Sequence, residues 1–158
     1  MSESHEHFMR RAIELAREGM NEGSGGPFGS VVVLDGKIIG EGNNRVTSTN
    51  DPTAHAEVVA IRNACKTIGS FDLTGAVVYA SCEPCPMCLA AIYWSRAERI
   101  YIAGDRHDAA RAGFDDAYIY DELSVKAEIR RVPTEQFLRD ESVAVFDEWI
   151  AKADKVKY

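Results

Sequence analysis

The sequence predicts an α/β domain in three layers, α/β/α, with helices packed on both faces of one mixed sheet. Three observations carry that expectation. Stretches of helical and strand periodicity alternate along the chain, an Asp-Gly pair joins two β-prone runs, and glycine or proline marks most changes of period. A length of 158 residues fits a single domain spanning positions 1–158.

Phe8, Ala12, Leu15, Ala16 and Gly19 recur at helical spacing before the glycine-rich stretch from Asn21 to Gly26, so a first helix is expected from about His7 to Met20. Val31–Leu34 and Lys37–Ile39 flank Asp35-Gly36, a pair suited to a tight primed turn in which both positions take positive φ. A polar loop from Asn43 to Pro52 follows. Ala56, Val59, Ala60 and Ala64 then argue for a second helix closing near Gly69. Ala76–Ala80 has the length and β-branched content of a buried strand. Pro84 is expected to open a third helix running to about Ser95, because proline in a first turn forfeits no hydrogen bond. Arg99–Ala103 reads as another strand. Beyond Arg106 the periodicity weakens until Val143, Phe146, Trp149, Ile150 and Ala153 mark a last helix with an apolar stripe.

Hydrophobic residues make up 46% of the chain and charged residues 27%, too apolar a balance for a disordered protein. A formal net charge of -7 opposes a polyanionic partner, which calls for Lys and Arg against its phosphates, so a small substrate is expected and no nucleic acid. No apolar run approaches the ~18 residues of a membrane span. Met1–His7 also lacks the apolar stretch of a signal peptide, so a cytoplasmic protein without membrane attachment is expected. Of the cysteines, Cys82, Cys85 and Cys88 crowd into seven positions, which suits a metal site better than a disulfide framework.

The chemistry concentrates in His55-Ala56-Glu57 and Pro84-Cys85-Pro86-Met87-Cys88. On a helix begun at Pro84, Cys85 and Cys88 lie about 60° apart around the axis, so both thiolates reach one ion. His55, at the head of the preceding helix, completes a nitrogen-and-two-sulfur set of the kind zinc takes. Three protein ligands leave a position for water, whose pKa bound zinc lowers from about 15.7 to about 7. Attack on an amino-bearing ring carbon then requires a proton for the departing ammonia, and Glu57, beside the site without ligating, is the candidate carrier. His-x-Glu followed by Pro-Cys-x-x-Cys is the arrangement of zinc nucleobase deaminases.

The rival reading is a structural zinc closed by Cys82 as fourth ligand, in an interaction module without catalysis. Pro84 opposes it: proline disfavours helical geometry just before itself, which leaves Cys82 at a strand end, off the face shared by Cys85 and Cys88. Cys65 reads as a small core residue, His5 and His7 as surface residues, and His107 as a histidine without a matched ligand partner.

Beyond these motifs, Gly25–Gly29, Asn50–Glu57 and Ser81–Cys88 are similar to the branch of the cytidine-deaminase-like zinc deaminases that contains bacterial guanine deaminases and tRNA adenosine deaminases. Ala91–Arg96, Ala112–Asp116 and the terminal Tyr158 resemble the guanine deaminases. The resemblance implies a cytidine-deaminase-like fold, zinc (Zn2+) on His55, Cys85 and Cys88, Glu57 as the catalytic proton carrier, and hydrolysis of guanine to xanthine and ammonia. It implies that Asn44 offers both a donor and an acceptor to the purine edge, although Asn43-Asn44 after Gly42 is by itself turn chemistry. Phe28 and Trp94 are expected to wall the flat base, positions that core packing explains equally well. Asp116, rather than Asp115, is expected to handle the departing amino group. A homodimer is also implied, in which the C-terminal segment from about 141 to 158 is exchanged and Tyr158 closes over the partner's site. The alternative within the branch is a tRNA wobble adenosine deaminase, which the acidic balance disfavours.

Overall fold

The structure, a computed structural model, describes residues 3–158 and divides into two compact units, one ending at Asp116 and one running from Ala117 to Tyr158. In the first unit the elements run α1 (Glu3–Asn21), β1 (Gly29–Leu34), β2 (Lys37–Asn43), α2 (Val46–Thr49), α3 (Ala56–Ile68), β3 (Val77–Cys82), α4 (Pro86–Trp94), β4 (Arg99–Gly104) and α5 (Arg106–Arg111). The second unit holds α6 (Ala117–Ser124), a 3-10 turn at Ala127–Ile129 and α7 (Arg139–Ala151). No helix among the described residues is long and apolar enough to cross a membrane.

The sheet is four-stranded in the order β2-β1-β3-β4, with β1 antiparallel to both neighbours and β3 parallel to β4, so it is mixed as expected. Strand alternation divides its side chains between two cores. Val31, Val33 and Tyr79 meet Phe8, Ala12 and Leu15 of α1 on one face, while Val32 and Val78 meet Ala60, Ala64 and Ile92 on the other. Helices thus cover both faces. Asp35 and Gly36 take φ of 50° and 75°, the two positive values that the Asp-Gly turn was expected to require.

Small residues set how closely α3 approaches the sheet. Ala56, Ala60 and Ala64, four apart on one stripe, lie over Gly40 and Gly42 of β2, where a Cβ at either glycine would run into the α3 backbone. That close packing fixes the height of the first turn of α3, and with it His55 and Glu57.

Several boundaries differ from the sequence expectation. α1 begins at Glu3, so His5 is helical and half-buried, with Nδ1 2.5 Å from the Tyr79 hydroxyl and its ring 4.7 Å from that of Tyr101. His5 is therefore not a surface residue, whereas His7 is exposed. The polar loop after β2 contains the short helix α2. α4 starts at Pro86 rather than Pro84, with Cys85 extended at φ -63° and ψ 168° as its N-cap. The reason is the rule applied above to Pro84: Pro86 disfavours helical geometry at the residue before it, here Cys85. α7 starts at Arg139, four residues before the first stripe residue.

Candidate active site

Two helix N-termini meet at the expected motif. His55 caps α3 and Cys85 caps α4, both in extended conformation. The loop into α3 is held by Asp51, whose Oδ1 accepts from the Thr53 N–H at 2.8 Å and hydroxyl at 2.6 Å, and by the Arg45 N–H donating to Ala54 O at 2.9 Å. Helix N-termini favour negative charge, so their meeting lowers the cost of thiolates there.

His55 Nδ1 lies 3.5 Å from Sγ of Cys85 and 3.5 Å from Sγ of Cys88, and the three donor atoms lie within 4.8 Å of one another. A tetrahedral ion with Zn–S near 2.3 Å and Zn–N near 2.1 Å separates its N and S ligands by about 3.6 Å, so the donor set and its spacing fit zinc. Cys82 does not join this group. Its thiol donates to Asp105 O at 3.4 Å, and burial pushes its pKa up to about 11. The closed four-ligand site of the rival reading is therefore not assembled among the described residues.

Without an ion, a hydrogen bond from the Cys88 thiol, with His55 alongside, pulls Cys85 down to about 4 against the effect of burial. The same bond to Cys85, and then burial, holds the Cys88 proton on. Contact with Cys85 raises the His55 imidazole above its ordinary value. The cluster thus keeps a proton to release when a cation enters.

His55, Cys85 and Glu57 line a cavity of ≈ 260 Å³, just below the usual range of ligand pockets, about 300–1,000 Å³, and so suited to a small molecule. Glu57 is 8% exposed, and burial raises its carboxyl pKa above the ordinary value. Phe28, Asn44 and Asp116 also line the cavity, and burial raises Asp116 too. Asp115 is exposed and is not among the lining residues.

Asn44 differs from the two-sided role expected of it. Its Oδ1 accepts from the N–H of Gly26 at 3.3 Å and of Val46 at 3.1 Å, which fixes the oxygen toward the backbone and leaves Nδ2 as the group to offer a ligand. Gly25 permits this packing, because a Cβ there would collide with the Asn44 side chain.

Trp94 is not brought to the cavity of its own chain. It is 70% exposed at the far end of α4, where nine residues of helix carry it about 13 Å along the axis from Cys85. Tyr158 belongs to the second unit and is 74% exposed.

The aromatic wall that sequence reasoning did not single out is Phe114, whose ring stands edge-on to Phe28 at 4.9 Å between centroids. Gly113 just before it, at φ 94°, was the signal of a sharp reversal there. Glu83 and Thr47 line the cavity as well. Glu83 could have been noticed only as the acid next to the Pro-Cys motif.

Residues 2–104 match the family described as the cytidine and deoxycytidylate deaminase zinc-binding region, and the chain belongs to that family of zinc-dependent hydrolases. Among its relatives is the guanine deaminase of Bacillus subtilis (strain 168), 53% identical over 155 residues, which span 98% of this chain and 99% of that one. The X-ray structure of guanine deaminase from Bacillus subtilis superposes with a TM-score of 0.96 at 52% identity, covering 100% of this chain and 99% of the other. A tRNA-specific adenosine deaminase of Agrobacterium fabrum is 46% identical over 95 residues, 60% of this chain and 62% of its own.

Proposed function

We propose that the chain hydrolyses guanine to xanthine and ammonia at the cavity beside His55, Cys85 and Cys88. The observation that carries this reading is a three-donor zinc site with a buried carboxyl and an aromatic-walled cavity at its open side, in a chain similar over 98% of its length to a guanine deaminase. Zinc, when bound, supplies the Lewis acidity that makes hydroxide available near neutral pH.

The chain's own residues do the rest. Phe28 and Phe114 form aromatic walls against which a flat base packs. Asn44 Nδ2 donates to an acceptor on the purine edge and so fixes its orientation. Glu57, raised toward neutrality by burial, exchanges protons in both directions: it takes one from the attacking water as the C–O bond forms and passes it to the substrate as the C–N bond breaks. Asp116, near Cys85 and also raised by burial, receives the departing amino group and hands it to solvent as ammonia.

The second unit supports a further part of the reading. Phe146, Ile150 and Tyr158 are 65%, 68% and 74% exposed, which for an apolar stripe and an aromatic terminus calls for a covering surface. Exchange of the segment from about 141 to 158 between two copies in the cytoplasm, with Tyr158 closing over the partner's site, supplies that cover.

The test is ammonia release from zinc-loaded protein given guanine, adenine, cytosine, guanosine, cytidine and an anticodon RNA hairpin side by side. Turnover confined to, or strongest with, guanine is the expected result. Turnover of the hairpin alone replaces the reading with a tRNA adenosine deaminase, and no turnover of any purine removes it.

A further inference from the structure

Glu83 lines the cavity, yet none of the steps above uses it. It stands two residues before Cys85, at the end of β3, where its N–H donates to Gly104 O at 2.9 Å. Its carboxylate holds the start of α5 at two points: Oε2 accepts from the Arg106 N–H at 3.1 Å, and Oε1 lies 3.3 Å from Arg106 Nη2.

α5 also carries its own cap, in which Asp105 accepts from the N–H of His107 and Asp108 at 2.9 Å each while Asp108 accepts from Asp105 N–H at 3.1 Å, and the Cys82 thiol reaches Asp105 O at 3.4 Å. From α5 the chain turns at Gly113 and returns with the Phe114 N–H donating to Ala109 O at 3.0 Å. Phe114 and Asp116, the two cavity residues of that return, are thus held through a six-residue helix.

We propose that Glu83 is a positioning residue: by clamping Arg106 it registers α5, and through it Phe114 and Asp116, against the Cys85 wall of the cavity. Arg106 and Glu83 have side-chain exposures of 44% and 25%, and ion pairs of that kind add little stability, so the clamp acts on the position of α5 rather than on the stability of the fold. The catalytic part of this inference rests on the deaminase reading; the positional part does not.

The test compares Glu83→Ala, Glu83→Gln, Arg106→Met and the double variant Glu83→Ala/Arg106→Met with the unaltered zinc-loaded protein. Guanine kinetics, zinc content, melting temperature and amide hydrogen exchange over residues 105–116 are measured for each. The clamp predicts zinc content and melting near those of the parent, faster exchange confined to 105–116, and kcat/KM lower by about 10- to 100-fold, with part of the loss in KM because the Phe114 wall shifts. Glu83→Gln, which keeps an oxygen for the Arg106 N–H, recovers part of the loss. The double variant is no worse than Glu83→Ala, because both substitutions break one clamp.

Unchanged exchange in 105–116 in both Glu83→Ala and Arg106→Met overturns the proposal. So does a Glu83→Ala enzyme that is disabled while its own exchange over 105–116 stays parental, which would make Glu83 a direct substrate contact. A merely structural role would lower melting and the active fraction while KM stayed fixed. Should the parent turn over no purine, the deaminase reading fails, and hydrogen exchange alone decides for or against the clamp.

Discussion

The two units bury their apolar residues to very different degrees. Among the described residues the last buried one is Ser95, and the core on both faces of the sheet is drawn from α1, β1, β3, α3, α4 and the loop residues Leu73 and Ala76. None of the helices of the second unit buries a residue, and Phe137, Leu138, Phe146 and Ile150 are 81%, 60%, 65% and 68% exposed. The first unit closes a core on both faces of its sheet and brings the His55, Cys85 and Cys88 donors together, while the helices of the second bury no residue. A core closed within one chain can hold donors at fixed separations, as catalysis requires, whereas uncovered apolar faces are suited to assembly.

The sharpest way to confirm that the chemistry resides in the first unit is Glu57→Gln, which keeps the shape and neutralises the proton carrier. It is expected to retain zinc and fold while kcat falls by about 10²–10⁴-fold, measured by ammonia release together with metal content. Activity close to that of the parent would refute the role given to Glu57.

Next in size is the contrast in packing. Leu73→Ala removes a fully buried side chain from the α3-side core and should cost about 2–5 kcal/mol in urea unfolding. Ile150→Ala, at a 68% exposed position, should change the stability of dilute, dissociated protein by about 0.5 kcal/mol or less. If α7 is exchanged, the same substitution weakens self-association by about tenfold or more in sedimentation experiments. A chain that stays monomeric at every concentration would exclude the exchange.

The smallest effect tests how α1 is pinned to β2. The hydrogen bonds from Arg11 to Glu41, at 2.8 and 3.0 Å, hold the Glu41 carboxyl below its ordinary value of 4.5. A depressed folded pKa contributes stability that is present above 4.5 and lost as pH falls through the folded value. With 38% of the Glu41 side chain exposed, solvent screening limits the contribution to about 0.5–1 kcal/mol. Arg11→Met should therefore lower stability by that amount at pH 7, and the gap to the parent should close toward pH 3, as read from urea midpoints at both values.

Much of the first unit was legible because its signals are local. Asp35-Gly36 dictates its turn by backbone sterics, the Ala56, Ala60 and Ala64 stripe follows helical spacing, and His-x-Glu with Cys-x-x-Cys names its donors. The start of α4 was misplaced because Pro84 and Pro86 are both acceptable in a first turn, and the choice falls to the conformation of Cys85 between them. Phe114 was missed because it reaches the cavity by the reversal at Gly113, which leaves no periodicity to read. The orientation of Asn44 depends on two backbone N–H groups, one of them 18 positions away, at Gly26. In the second unit a stripe such as Phe146, Trp149 and Ile150 announces burial without saying against what.

X-ray absorption at the zinc edge of the loaded protein tests the arrangement of the metal site most directly. Two sulfur scatterers near 2.3 Å with nitrogen or oxygen filling the other positions near 2.0–2.1 Å is the expected shell, with His55, Cys85 and Cys88 as the protein donors. A shell with three sulfurs, lost on Cys82→Ser, would mean a closed structural site and would contradict the catalytic account.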